Sequence, residues 1–189
     1  MLSIDFSPFP LLETDRLLLR CITLDDAPQL FVLRSDQKIM QYLDRDPFKS
    51  IEETTEFIQQ KVLNSLENNE GILWVIELKS APGKLIGTTG FWRFDKAHYR
   101  TEIGYMLHSD YWQKGIMKEA VKISIDWAFT KTGIHSIEAN INPNNHPSAA
   151  LLKSIGFEQE AYFKENYYFN GVFGDSIIYS LVKGIHYLS

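Results

Sequence analysis

The stretch "DYWQKGIMKEA", residues 110–120, places two aromatics, two lysines and the lone Gly115 at the start of a run with helical spacing. The amino end of a helix carries unpaired N–H groups and a partial positive charge, which suits a phosphate or another anion. Taken alone, the pattern fits either an anion cradle or a plain turn at Gly115 with solvated lysines. Two neighbours bear on the choice. Just before it, "TEIGYML" sets the carboxylate of Glu102 near the start of a strand, and further on Asn145 and Ser148 form an "NxxS" that opens a second helix. An amide and a hydroxyl three residues apart share the first turn of that helix, where each can shape or cap the turn or face a ligand. The one cysteine, Cys21, lies in "RLLLRCITL". It rules out an internal disulfide and reads as an inert, partly buried thiol. The five histidines are scattered without metal-ligand spacing, so no metal site is expected.

Hydrophobic periodicity supplies the elements that must carry these residues. Residues 14–24 read as a first strand and 25–35 as a short helix. "SIEETTEFIQQKVLNSLEN" opens with Ser50 and Glu53 in capping-box spacing, with apolar positions at Phe57, Ile58, Val62 and Leu66 along one helix. "ILWVIEL" and "LIGTTGFWRF" are strands joined by the turn "APGK", and the strand with Glu102 follows. The helix after Gly115 runs to about Thr132, with Ile116, Ala120, Ile123, Trp127 and Ala128 on its apolar face and a stop at Gly133. "HSIEANI" is the next strand, the helix of Ser148 starts near Pro147 and stops at Gly156, and two last strands, 157–169 and 173–182, meet around "NG". This order packs as a mixed sheet with helices on both faces. No internal repeat, low-complexity segment or linker interrupts it.

At 189 residues the chain has the length of one domain with a real core, and 44% hydrophobic with 23% charged residues is a globular composition. Twelve Phe, nine Tyr and four Trp supply large anchors for a core or a cleft. A net charge of −5 argues against a general affinity for nucleic acid or anionic membrane, and suits a basic or amine-bearing partner. The start lacks a basic segment followed by an apolar one, and no apolar run reaches the ~20 residues of a membrane span, so a cytoplasmic location is expected.

With Glu102, the glycine turn and the "NxxS" in this order, the chain resembles the GNAT superfamily of acetyl-coenzyme A-dependent N-acetyltransferases. The resemblance is nearest to the branch that acetylates ribosomal-protein N-termini at alanine or serine. It rests on "ETDRLLLR", "IGTTGF", "TEIGYMLHSDYWQKGIMKEA", "ANINPNNHPSAALLKSIGFEQEA" and "YFNGVFGDSIIYSL", which span nearly the whole chain. The family's cofactor loop ends in Gly or Ala where this chain has Met117, and often opens with Gln or Arg where it has Trp112.

The resemblance implies an α/β (α+β) fold over residues 1–189: a twisted, mixed, mostly antiparallel sheet of about seven strands, helices on both faces, and a splayed central strand pair. It implies acetyl-CoA as cosubstrate and no metal. The pyrophosphate would sit on the backbone of Gln113, Lys114, Gly115, Ile116, Met117 and Lys118. The pantetheine arm would run along Tyr105, Met106 and Leu107, with Asn145, Ser148 and Leu152 completing the cofactor contacts. An amine attacks a thioester only when neutral, so a base must take its proton, and Glu102 is the best-placed carboxylate, directly or through water. Ser148 would protonate the leaving thiolate, or alternatively caps its helix; Glu102 alternatively supports its strand, and Asn145 alternatively shapes its turn. Tyr167 and Tyr168 either reach the cleft or, as the ordinary role of such rings, pack. Cys21 has no partner, which favours direct transfer in a ternary complex. The expected acceptor is a protein or peptide N-terminus, with a polyamine or aminoglycoside as the small-amine alternative. Asp44 and Asp46 in "YLDRDPFKS" border the acceptor cleft or are plain loop residues. A coenzyme A-binding sensor without catalysis is the non-enzymatic alternative, and a monomer or homodimer fits either. A nucleotide-hydrolysing phosphate loop is excluded because "GxxxxGK[ST]" is absent.

Overall fold

The structure, a computed structural model, describes residues 2–184. One eight-stranded sheet runs in the order β1-β2-β3-β4-β5-β6-β8-β7. Its strands are β1 (Leu12–Glu13), β2 (Leu17–Cys21), β3 (Gly71–Leu78), β4 (Gly87–Asp95), β5 (Arg100–Leu107), β6 (Ser136–Ile141), β7 (Glu158–Phe169) and β8 (Val172–Val182). The expected first strand, 14–24, is observed as Leu17–Cys21; ahead of it Thr14 to Arg16 turn the chain back and let Leu12–Glu13 pair with Leu18–Leu19. That two-residue β1 is the strand beyond the expected seven.

Between β2 and β3 lie α1 (Ala27–Ser35), α2 (Gln37–Met40) and α3 (Ile51–Phe57), the last continuing through a π-helical stretch, Ile58–Leu63, into α4 (Asn64–Glu67). The start of α3 follows the expected box only in part. Ser50 Oγ accepts from Glu53 N at 3.2 Å, but the Glu53 carboxylate accepts from Lys49 N at 2.7 Å, one residue before the cap. α5 (Ile116–Trp127) ends in a second π-helical stretch, Ala128–Thr132, and α6 (His146–Ile155) follows β6.

Side chains alternate across the sheet, so each strand feeds two cores. Trp74 and Ile76 of β3 join Ala120 and Val121 of α5 and Leu152 of α6 on one face. Val75, between them, joins Leu30 and Leu33 of α1 and Ile58 on the other, with Met106 of β5. Helices therefore cover both faces, as the pattern predicts.

The feature that makes a site is in the middle of the sheet. All neighbouring strands are antiparallel except β5 and β6, which are parallel. Their ladder has three rungs, Arg100↔Ser136, Thr101↔Ile137 and Glu102↔Glu138, and then stops. β5 stays paired with β4 as far as Leu107, and β6 with β8 as far as Ile141, so the two halves of the sheet diverge beyond Glu102. This is the splay that the resemblance implies.

Candidate active site

A cavity of about 530 Å³ occupies the divergence. It is lined by Trp92 and Arg93 of β4, Glu102 through Met106 of β5, residues 139–141 of β6, Asn145 and Ser148 at the start of α6, Tyr167 of β7, and residues 42–45 after α2. Alternation along β5 sends Glu102, Gly104 and Met106 toward the face covered by α1, and Tyr105 toward the face covered by α5 and α6. One cavity thus reaches through the sheet.

On the α1 side the central group is Glu102, only 7% exposed. Its Oε2 accepts from Arg93 Nη1 at 2.7 Å. Burial raises the pKa of its carboxyl above the ordinary glutamate range, and the Arg93 cation opposes that rise. Arg93 side-chain exposure of 72% screens the cation, so burial wins. A bulge between Trp92 and Asp95 sets Arg93 at φ +54°, an uncommon backbone state for a residue with a side chain. Beside it the edge of the Trp92 indole closes on Gly104. A Cβ there would stand 1.9 Å from Trp92 Cη2, so only glycine admits the ring.

On the other side, Ser148 is buried with its Oγ 2.6 Å from the Tyr105 hydroxyl. Burial pushes the Tyr105 phenol up to about 12, against the opposing pull of the Ser148 hydrogen bond. The phenol therefore stays protonated at neutral pH and can donate to Ser148. The capping alternative for Ser148 is corrected here: the cap of α6 is Asn145, whose Oδ1 accepts from Ser148 N at 3.1 Å. Capping takes the oxygen end of the Asn145 amide, and the NH₂ end is the one not used by the cap. Accordingly Asn145→Ala should lower the melting temperature, an N-cap being worth about 0.5–2 kcal/mol. Ser148→Ala, which leaves that cap in place, should instead lower kcat with little change in the acetyl-CoA KM. Thermal melts and steady-state kinetics on the pair check the division. A Ser148→Ala enzyme with unchanged kcat would contradict a chemical role for the hydroxyl.

The loop ahead of α5 has the expected form. Gly115 is its N-cap residue, in the left-handed region at φ +73° and with no side-chain cap. The helix first bonds Glu119 N to Gly115 O, which leaves the N–H groups of Ile116, Met117 and Lys118 facing out of the helix end. The Ile116 and Met117 side chains are buried in the core, so only their backbone faces outward. The Met117 side chain, where the family pattern has Gly or Ala, therefore lies in the core and not at the mouth of the helix. Gln113, Lys114 and Lys118 are exposed. The Trp112 departure has its own role: the indole Nε1 donates to the Leu107 carbonyl at 2.8 Å and ties the loop to the end of β5. Arg16 braces the loop from the chain's other end, donating to Lys114 O at 3.1 Å and to Glu119 Oε2 through Nε at 2.7 Å.

Several predicted residues stand elsewhere. Leu152 is fully buried in the core and does not reach the cavity; it packs beneath it. Leu107 is also a core side chain. Tyr168 is 64% exposed, its ring tilted against that of Phe173, whereas Tyr167 lines the cavity and accepts from Asn142 Nδ2. Asp44 lines the cavity, while Asp46 accepts from Asn170 Nδ2 at the tip of the β7–β8 hairpin. Burial raises the Cys21 thiol pKa, and the thiol is no part of the cavity lining. Sequence reasoning missed Arg34, Arg45, Trp92 and Arg93, all of which line the cavity. Gly104 in the interior of a strand was the available signal for Trp92, since such glycines mark close approach. No local pattern marks the arginines.

A family profile described as "Acetyltransferase (GNAT) domain" matches residues 16–158. An uncharacterized N-acetyltransferase of Bacillus subtilis (strain 168), YoaA, is 35% identical over 175 residues, covering 93% of this chain and 98% of YoaA. Among solved structures, the ribosomal-protein-S5-alanine acetyltransferase from Vibrio fischeri superposes with a TM-score of 0.79 at 27% identity, covering 93% of this chain and 98% of its own. The microcin C7 self-immunity acetyltransferase MccE, solved with acetyl-CoA and AMP, superposes at 0.78 with 26% identity, covering 89% and 93% of the two chains.

Proposed function

Because the chain belongs to the GNAT acetyltransferases and is an acetyl-CoA-dependent N-acetyltransferase, we propose that its acceptor is a peptide or protein N-terminus acetylated by direct attack, with Glu102 as base and Ser148 as acid. The observation that carries this reading is the single cavity at the end of the β5–β6 ladder. A buried carboxylate stands on one side of the sheet there, and a hydroxyl pair stands on the other.

The residues fit acetyl-CoA. The open N–H groups after Gly115 suit a pyrophosphate, and the side of β5 that β6 leaves unpaired suits the amide-bearing pantetheine arm along Tyr105 and Met106. The Asn145 NH₂, which the cap of α6 does not use, is available to the same arm. Acetyl-CoA supplies an activated thioester when bound. Glu102 takes the proton that the attacking amine must lose, and its raised pKa brings it closer to that task than an exposed glutamate. Ser148 hands its proton to the departing sulfur and takes one from Tyr105, whose phenol is reprotonated from solvent through the cavity, while Glu102 releases to solvent the proton it took from the amine. The first-turn dipole of α6 favours negative charge at that point.

The acceptor is tested with the full chain, acetyl-CoA and equal concentrations of peptides with free Ala or Ser N-termini, the same peptides N-terminally blocked, spermidine and an aminoglycoside, read by mass spectrometry. Acetylation of the free peptides but not the blocked ones is expected. Transfer to spermidine or the aminoglycoside alone overturns the peptide reading.

A further inference from the structure

Arg34, on the last turn of α1, is only 9% exposed. Its Nε and Nη1 are buried with no hydrogen-bond partner among the described residues, although the residue lines the cavity. Buried guanidinium groups ordinarily pair with a carboxylate. The guanidinium carbon here is 4.1 Å from the Phe57 ring centroid and 5.0 Å from that of Phe48. Stacking on rings holds the plane of the group but leaves its edge, where the N–H bonds point, without an acceptor.

The carboxylates nearby are otherwise engaged. Asp44 interacts with the Tyr167 hydroxyl, Asp46 with Asn170, and Glu102 with Arg93. The second cation of the segment, Arg45, also lines the cavity and adds like charge. Phe57, on which Arg34 stacks, packs against the cluster that holds Met106, on the face toward which Glu102 points. The unpaired donors thus belong to the Glu102 side of the cavity, away from Ser148.

We infer that the acceptor amine carries an anionic group, carboxylate or phosphate, which docks on the edge of the Arg34 guanidinium while its amine faces Glu102. The inference rests on the acetyltransferase reading and narrows its acceptor to acid-bearing amines. The unpartnered Nε and Nη1 donors lie on different edges of the guanidinium, so each can give one charge-assisted hydrogen bond to an oxygen of such a group, and the flanking phenyl rings hold the plane. Desolvation that is a burden on the free protein becomes an advantage in the complex, because charge pairs attract more strongly away from water.

The experiment uses the full chain and peptides identical except at the second and third residues, which are Asp, Asn, Lys or phosphoserine. Free aspartate and phosphoethanolamine serve as small-molecule arms. In the wild-type protein kcat/KM for at least one acid-bearing acceptor should exceed that of the neutral peptide by about tenfold or more. The arm that shows the excess identifies the source of the anion. Arg34→Gln should bring the ratio of acidic to neutral acceptors toward one, and Arg34→Lys should retain part of it. Equal wild-type rates on acidic and neutral acceptors overturn the inference. So does an Arg34→Gln protein that loses activity on all acceptors in equal proportion, since that marks Arg34 as a packing residue. If Arg34→Gln does not fold, N-acetyl-aspartate is set against N-acetyl-asparagine as an inhibitor of the wild type. Competition with the acceptor by the acid alone supports the site, and its absence overturns it. Failure to acetylate any acceptor defeats the acetyl-transfer reading itself, whereas good rates without acid preference defeat only the role of Arg34.

Discussion

Glu102→Gln lowers kcat by about 10²–10⁴-fold, the contribution typical of a positioned general base, while acetyl-CoA affinity by calorimetry barely changes. The expectation follows from where the carboxylate sits. Glu102 is the last rung of the β5–β6 ladder, so it is held by backbone pairing on both sides while its side chain enters the cavity. Glutamine keeps the shape and can still accept from Arg93, but it cannot take a proton. The pH profile sharpens the test. The base works as carboxylate, so activity is lost as pH falls through the pKa of Glu102, and burial has moved that pKa upward. The acid limb of kcat/KM therefore lies at higher pH than an exposed glutamate gives, and it should vanish in Glu102→Gln. Arg93→Gln removes a cation that favours the charged form, so the limb should move further up, modestly because Arg93 is exposed to solvent. An unchanged profile in Glu102→Gln would transfer the role to another group.

Gly115→Val should weaken acetyl-CoA binding by about tenfold or more. Two physical effects act together. The residue sits at φ +73°, where an L side chain costs on the order of 1–2 kcal/mol and a β-branched one is worse placed still. The protein itself leaves room, since a Cβ there would meet only Arg16 Nη2 at 3.7 Å. The side chain would instead stand at the mouth of the helix, where the backbone N–H groups need an unobstructed approach. Calorimetry with acetyl-CoA and a thermal melt separate the effects. A lowered melting temperature with wild-type affinity would mean that the glycine serves the turn alone and that the anion lies elsewhere.

Much of this arrangement is readable before any coordinates. Period-two and period-3.6 patterns mark β3 through β8 and the two helices of the site to within a residue or two, because each is long enough for one face to declare itself. β1 and α2 escape for the opposite reason: two and four residues carry no periodicity. The π-helical stretches at "IQQKVL" and "AFTKT" also leave no signature, since they preserve the apolar stripe and alter only the backbone bonding. Within the site, Glu102, Gly115, Asn145 and Ser148 could be named because each stands at an element boundary with a local meaning. Whether Ser148 caps its helix could not, because capping and ligand contact share the same "NxxS"; the bond from Ser148 N to Asn145 Oδ1 gives the cap to Asn145. Arg34 and Arg93 were hidden for a deeper reason. An arginine at the end of a helix or in "FWRFD" reads as a solvated charge, and its significance depends on what tertiary packing withholds from it or brings to it.

The interrupted ladder between β5 and β6 also bears on how the chain avoids its own neighbours. Beyond Glu102 and Glu138 the facing rims of the two strands carry backbone groups that no strand among the described residues takes up. On the outer margin of a sheet such rims template pairing with other molecules, and proteins blunt them with lysine, proline or bulges. "YML" and "ANI" hold no such guard. Their protection is enclosure: the start of α6, the loop at 42–45 and Tyr167 of the last hairpin wall the gap. A passing chain finds no open length of rim to lie against. The molecule keeps an adhesive seam in its interior and relies on its last elements to cover it. A chain cut short before α6, or one still emerging during synthesis, would present that seam to every other copy.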